Sequence, residues 1–132
     1  MLYKAHMVGA VASGCGEVYL SNKIGISTNA LYIVAGAAIG GLIPDIDHPD
    51  SFVGNAIEPI SKIIKDTIGH RTLTHSLLFL LIISFVTSLF NVMLGVGIGN
   101  GILSHIVLDI LTPHTNGVAF LYPFCKKKLK LL

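Results

Sequence analysis

The stretch between positions 77 and 111 constrains the fold most, because it is apolar for about 35 residues whereas one bilayer crossing needs about 20. Asn91, Asn100 and several glycines interrupt it. A single helix of this length would overshoot the hydrocarbon core of a membrane. The stretch therefore predicts a hairpin of two short helices, at about 74–90 and 92–111, that turns near Asn91.

Two further segments predict membrane helices upstream of this hairpin. Residues 30–43, "ALYIVAGAAIGGLI", are apolar and stop at Pro44, which cannot continue a helix. Residues 1–20 are also helical in character, although Glu17 argues against their full burial in lipid. Only 12% of the residues are charged, against about 25% in soluble domains, and the mean hydropathy is +0.75. We therefore predict one all-α domain over residues 1–132, a polytopic membrane protein with about four short transmembrane helices.

The polar segment between the second and third predicted spans has a periodic pattern of its own. Isoleucines recur at helical spacing, and charged residues occupy the opposite face. A helix with this pattern lies in the plane of a membrane interface. The sequence therefore predicts an interfacial amphipathic helix, with Ile57, Ile60, Ile64 and Ile68 on its apolar face and Glu58, Lys62, Lys65 and Asp66 on its polar face.

Two pairs of glycines lie inside the predicted spans, Gly36 with Gly40 and Gly97 with Gly101. Small residues at this spacing allow the backbones of transmembrane helices to approach closely. Each pair taken alone is equally consistent with glycines that lipid merely tolerates. The pairs are therefore candidate contact points between helices.

Basic residues fall almost entirely on one side of the predicted topology. If the first helix starts on one face, the polar segment and the carboxyl-terminal tail return to that face. Cytoplasmic segments carry such an excess of lysine and arginine. Both termini are therefore predicted to be cytoplasmic, and of the nine basic residues only Lys23 lies opposite. The cytoplasmic set is Lys4, Lys62, Lys65, Arg71, Lys126, Lys127, Lys128 and Lys130.

The same topology places every histidine on that face, together with three aspartates. His105 and Asp109 are four residues apart on one side of a helix. Each element alone has a simpler interpretation, such as a local hydrogen bond, a polar loop or a helix cap. Their convergence instead indicates a functional site, because ionisable groups at membrane depth are costly. The converging residues are His6, Asp45, Asp47, His48, His70, His75, His105, Asp109 and His114.

Imidazole and carboxylate ligands without thiolates suit zinc, manganese, iron or magnesium. The candidate ligands His6, Asp45, Asp47, His75, His105 and Asp109 outnumber those of one tetrahedral ion. Either two divalent ions are bound, or some of these groups orient ligands or move protons. A two-metal site typically hydrolyses phosphoesters. Asp47 or His48 is then the candidate general base, and Arg71 the candidate phosphate-binding residue, unless Arg71 contacts a headgroup or a helix end.

Five motifs in order, "AHMVGA", "GGLIPDIDHPDS", "HRTLTHSL", "SHIVLDILT" and "NGVAFLYPF", resemble the bacterial membrane-bound metal-dependent hydrolases, the YdjM-like, LexA-regulated inner-membrane family. The resemblance covers nearly the whole chain. It implies a polytopic protein of the bacterial inner membrane whose metal site uses the histidines and aspartates of these motifs.

These observations favour a metal-dependent hydrolase that uses a metal-activated water on a phosphoester or lipid-like substrate at the cytoplasmic membrane face. Zinc is the favoured ion, and manganese or magnesium is possible. The alternative is a non-catalytic membrane protein in which the ion staples the helices together. An ion or proton transporter ranks last, because "IVAGAAI" and "LFLLIISFV" hold almost no polar residues. The predicted partners are the lipid bilayer and a membrane-proximal substrate, with no nucleic acid.

Overall fold

The computed structural model describes residues 3–69, 71–113 and 116–131, and these residues form an all-α fold without regular strands. Two short 3₁₀ segments, Ile43–Asp47 and Leu73–His75, lie between helices, and one isolated antiparallel bridge joins Val118 to Leu129. His70 and His114 lie outside the described residues. The α-helices are α1 Tyr3–Lys23, α2 Ala30–Gly40, α3 Phe52–Ala56, α4 Glu58–Thr67, α5 Leu77–Ser88 and α6 Val92–Leu111.

Side-chain caps explain where the apolar helices begin. The Asn29 side chain accepts hydrogen bonds from the first backbone N–H groups of α2, and Ser76 does the same at the start of α5. Asn91 caps α6 by accepting from the Leu94 N–H at 3.0 Å. The predicted hairpin that turns near Asn91 is therefore confirmed, and α5 and α6 are its arms.

Helix α6 is the centre of the fold, because α1, α2 and α5 all pack against it. Its inward face carries Ile98, Ile102 and Ile106, which form a buried cluster with Val118 from the carboxyl-terminal segment. Apolar side chains remain exposed at the turn between α5 and α6, where Phe90 is 86% exposed. Such a surface suits lipid better than water.

The four glycines of the two spaced pairs lie in the contact between α2 and α6. A methyl group added at any of them would collide with backbone atoms of the other helix, the carbonyl oxygen of Ile98 in the case of Gly40 and that of Ala37 in the case of Gly101. Glycine is therefore required at these positions by backbone proximity, which confirms the predicted close approach of two helices.

Asn100 connects α1 to α6 through polar groups. Its side-chain oxygen accepts a hydrogen bond from Ser13 Oγ at 2.6 Å. Its amide donates to the Ser13 carbonyl oxygen at 3.2 Å and to Glu17 Oε2 at 2.6 Å. The interruption of the long apolar stretch at Asn100 therefore corresponds to a polar contact between helices.

The prediction of four transmembrane helices is wrong by the criteria of length and hydropathy. Two segments of the described chain, Ala30–Asp47 and Val92–Leu111, are long and apolar enough to cross a membrane. Helix α5 has 12 residues, which corresponds to about 18 Å of helix against about 30 Å of hydrocarbon. Helix α1 has 21 residues but includes Lys4, Glu17 and Lys23, which lower its hydropathy.

The predicted amphipathic helix is present as α4, but its apolar residues divide between two directions. Ile57, Ile64 and Ile68 are partly buried against the body of the protein, around the fully buried Ser61. Ile60, which was expected on that same face, is 55% exposed. At 100° per residue, Ile60 lies about 60° around the helix from Ile57 and about 60° from Ile63, which is 65% exposed, so Ile60 lies at the edge of the buried face.

Replacing Gly40 with alanine tests the glycine contact. We expect Gly40→Ala to lower the free energy of unfolding by about 1–3 kcal/mol, because the new methyl group must push α6 away from α2. Gly16→Ala in α1 is the matched control, because a Cβ there meets no atom within 4 Å. Unfolding in mixed detergent micelles, followed by helical circular dichroism, measures both. Equal stability of the two variants would contradict the close contact.

Candidate metal centre

Four segments bring their polar side chains to one end of the helix bundle. The start of α1, the 3₁₀ segment after α2, the 3₁₀ segment before α5 and the end of α6 all contribute. Every predicted ligand is buried, with an exposed fraction between 0% and 7%. The structure therefore brings together all six candidates, which are His6, Asp45, Asp47, His75, His105 and Asp109.

The spacing of the donor atoms fits a divalent cation. His75 Nε2 lies 3.1 Å from Asp109 Oδ2 and 3.2 Å from His105 Nε2. His105 Nε2 in turn lies 3.5 Å from Asp45 Oδ1 and 3.5 Å from Asp109 Oδ2. Ligand atoms about 2.0–2.1 Å from a tetrahedral zinc ion lie about 3.3 Å apart. Four side chains thus present donor atoms at metal-ligand separations.

The backbone of α2 orients His105. Its Nδ1 lies 2.6 Å from the carbonyl oxygen of Gly41, so Nδ1 carries the proton and donates to that oxygen. Nε2 then keeps its lone pair and points toward Asp45, His75 and Asp109. A hydrogen bond of this kind fixes the tautomer and direction of a metal-binding histidine.

His75 is oriented in a similar way by Asp47 and Thr74. Its Nδ1 lies 3.1 Å from Thr74 Oγ1 and 3.4 Å from Asp47 Oδ2, and the Thr74 hydroxyl donates to the same Asp47 oxygen. Burial disfavours the imidazolium, but the Asp109 and Asp47 carboxylates outweigh it and raise the pKa of His75 above its ordinary value. The surroundings of His75 therefore favour a positive charge at this point.

His6 extends the cluster on the side of α1. Its ring stacks on that of His105, with centroids 3.6 Å apart and an interplanar angle of 11°. His6 Nε2 lies 3.4 Å from Asp109 Oδ1. Two groups can therefore hold a metal ion, His6 with His105 and Asp109, and Asp45 with His75 and His105. Both groups use His105, whose single free lone pair can serve one ion only.

Arg71 closes the cluster from the loop before the second 3₁₀ segment. Its backbone N–H donates to Asp47 Oδ2 at 3.0 Å, and its Nε donates to Asp109 Oδ2 at 3.1 Å. The backbone is left-handed, with a φ of 56°, which is unfavourable for a side chain of this size. The Ala119 N–H donates to the Arg71 carbonyl oxygen at 3.0 Å and helps to hold this conformation. Such strain is concentrated at functional sites.

A polar cleft of about 240 Å³ opens beside the buried cluster. Asp45 and Arg71 belong to both the cluster and the cleft, so the cleft gives access to the metal-binding side chains. His48 lines this cleft and is only partly buried, and its Nδ1 accepts the Asp50 N–H at 3.3 Å. The lining residues are Tyr3, Asp45, His48, Asp50, Ser51, Phe52 and Arg71.

Several contacts of the cluster have no local sequence signature. The Gly41 carbonyl that orients His105 is a backbone group, and 64 positions separate the two residues. Thr74 is distinguished only by its position next to His75. Tyr3 and Phe52 resemble other exposed aromatic residues until the fold stacks their rings, with centroids 5.0 Å apart. Tertiary contacts alone identify these groups.

The chain is similar to three bacterial proteins. It is 37% identical over 125 residues to the uncharacterized protein YvsG of Bacillus subtilis (strain 168), covering 93% of this chain and 74% of that protein. It is 40% identical over 109 residues to the inner membrane protein YdjM of Escherichia coli (strain K12), covering 76% of this chain and 53% of that protein. The YdjM protein of Shigella flexneri matches to the same extent. The chain spans about half the length of these two YdjM proteins, and no solved structure matches it.

The family profile described as "YdjM inner membrane protein" matches residues 1–132. This match covers all of the segments that supply the buried histidines and aspartates. It also agrees with the two helices that are long and apolar enough to cross a membrane. The chain therefore belongs to the YdjM inner membrane protein family.

Proposed function

We propose that this protein is a membrane-bound metal-dependent hydrolase that acts on a phosphoester at the cytoplasmic membrane face. The observation that carries the proposal is the cluster of buried imidazole and carboxylate atoms, 3.1–3.5 Å apart, beside an open cleft that contains an arginine. A structural ion needs no cleft, whereas a catalytic ion needs an open position for substrate.

Asp45, His75 and His105 are the residues that would hold the ion, and three protein ligands leave its fourth position open for water. His6 and Asp109 would either bind a second ion together or position the ligands of a single ion. Zinc is favoured because two to three imidazoles contribute, and manganese or magnesium is the alternative. When bound, a divalent cation supplies Lewis-acid activation of water and of a phosphoryl oxygen.

Arg71 and His48 supply the chemistry of the protein itself. The Arg71 side chain is 18% exposed and lines the cleft, where its planar fork suits a phosphate group. His48 lies in the same cleft and can accept a proton from the attacking water. Asp47 is fully buried and contacts Arg71, Thr74 and His75, so we assign it a positioning role in place of a general base.

The location of the cleft supports a lipid-like substrate. Ile60 and Ile63 of α4 are exposed, and α4 packs on the 3₁₀ segment that carries Asp45. We propose that these isoleucines enter the membrane interface. The excess of lysine on the side of the cluster would then place it, with both termini, at the cytoplasmic face.

A non-catalytic metal staple is the second candidate. The observation that favours it is that the buried donor atoms come from four separate segments of the chain. An ion bound there would stabilise the contacts between short helices by its binding free energy. Under this alternative, metal removal lowers the stability of the protein. The protein catalyses no reaction, so no variant changes a turnover rate.

Metal content tests what both candidates share. We expect the purified protein to retain a divalent ion, and His75→Ala and Asp45→Ala to lose it, because each removes a donor atom. Asp47→Asn should weaken the metal affinity by about 10–100-fold by releasing His75. Asp66→Ala, an exposed acid on α4, is the control and should keep the metal. Elemental analysis after dialysis measures occupancy. A wild-type protein that binds no divalent metal would refute both candidates.

Turnover separates the two candidates. We expect the metal-loaded protein to hydrolyse phosphodiester or phospholipid substrates. His48→Ala and Arg71→Lys should reduce kcat/KM by about 10²-fold or more, because they remove the proton acceptor and the planar phosphate contact. Metal content must stay at the wild-type level in His48→Ala for this comparison to hold. Hydrolysis that His48→Ala and Arg71→Lys leave unchanged would contradict the proposed roles. Metal-dependent stability without turnover would favour the staple.

A further inference from the structure

We infer that the cleft selects phosphoesters of a cationic amino alcohol, such as phosphoethanolamine or phosphocholine, over anionic or uncharged headgroups. This inference rests on the proposed function, because it names the substrate class of the same site. The observation that carries it is a small cleft whose lining includes an arginine, an exposed acid and two aromatic residues whose rings stack.

The anion-binding part of the cleft is Arg71 at the edge of the buried cluster. Its Nε donates to Asp109, and Arg71 is also one of the residues that line the cleft. Guanidinium forks bind phosphate oxygens in pairs. A divalent ion held next to it by Asp45, His75 and His105 would add positive charge on the same side. A phosphate group therefore fits at this position.

The cation-binding part of the cleft consists of Asp50, Tyr3 and Phe52. The Asp50 carboxylate is exposed and lines the cleft, and Lys62 of α4 interacts with it electrostatically without a direct ion pair. The Tyr3 and Phe52 rings stack with centroids 5.0 Å apart and 23° between their planes, and Phe52 is 61% exposed. Aromatic faces beside a carboxylate are the usual environment for an alkylammonium group.

The size and charge of the cleft argue against other phosphoesters. A volume of about 240 Å³ is below the usual range for drug-sized ligands, about 300–1,000 Å³, so the cleft suits a small headgroup. A headgroup with a second negative charge would lie against the Asp50 carboxylate, and like charges in one site repel. A glycerol headgroup carries no positive charge for the Asp50 carboxylate to attract. A zwitterionic headgroup can place its phosphate in the anion-binding part of the cleft and its ammonium group in the cation-binding part.

Binding of soluble headgroups tests the inference without requiring turnover. Detergent-solubilised, zinc-loaded full-length protein is titrated with phosphoethanolamine, phosphocholine and glycerol 3-phosphate in a calorimeter. We expect the two amino-alcohol esters to bind at least about tenfold more tightly than glycerol 3-phosphate. Equal affinities for the three compounds, or a preference for glycerol 3-phosphate, would overturn the inference.

Variants of the cation-binding part show whether these residues are the cause. We expect Asp50→Asn and Phe52→Leu each to remove most of the preference while leaving the affinity for glycerol 3-phosphate near the wild-type value. Asp66→Asn, which removes an exposed acid of α4 outside the cleft, is the matched control and should keep the preference. A preference that survives both Asp50→Asn and Phe52→Leu would overturn the assignment. Retained zinc content and helical circular dichroism establish that the variants are folded.

Vesicles distinguish a lipid headgroup from a soluble ester as the source of this chemistry. The protein is reconstituted into vesicles of phosphatidylethanolamine with phosphatidylglycerol, and release of the two headgroups is compared. Preferential release of phosphoethanolamine or ethanolamine supports the inference with a lipid as the source. Selective binding of soluble esters without any lipid turnover supports the cleft specificity but refutes lipid hydrolysis. Turnover of both lipids at equal rates overturns the specificity and leaves the hydrolase function in place.

Discussion

The close contact between the backbones of α2 and α6 is the interaction on which the rest of the structure depends. Glycines at Gly36, Gly40, Gly97 and Gly101 leave no side chain between the helices, so the carbonyl groups of one helix touch the other. The same approach brings the Gly41 carbonyl oxygen within 2.6 Å of His105 Nδ1. The packing of the two helices and the orientation of His105, a candidate metal ligand, therefore depend on the same contact, and any side chain added in this contact alters both.

The composition of the buried cluster reflects the need to compensate negative charge that is removed from water. Three carboxylates lie in a site with almost no exposed surface, which is costly unless cations compensate for them. Arg71 and the raised pKa of His75 provide part of that compensation. A divalent ion would provide more, and it would replace the proton of His75 with a stronger and geometrically defined charge. Metal binding at this cluster would therefore be linked to helix association.

Local patterns predicted those features that depend on neighbouring residues along the chain. Helix caps, periodicity and helix breakers predicted three features: the hairpin turn at Asn91, the amphipathic helix of the polar segment and the end of α2 near Pro44. The number of spans was not predicted correctly, because α5 begins at its Ser76 cap and has only 12 residues, and because α1 carries charged residues, of which Glu17 accepts a hydrogen bond from Asn100. Ile60 was misplaced, because a spacing of three or four residues does not decide which flank of a helix faces the protein.

The sequence by itself determined the all-α class, the membrane character and the set of histidines and aspartates that meet at one end of the bundle, because apolar length and helix direction fix which ends coincide. Only the tertiary structure decided how these residues divide their roles. Asp47 supports His75, His48 lies in the cleft, and Arg71 bridges Asp47 and Asp109. Those roles depend on distances of about 3 Å between segments far apart in the chain, and no spacing along the sequence encodes such distances.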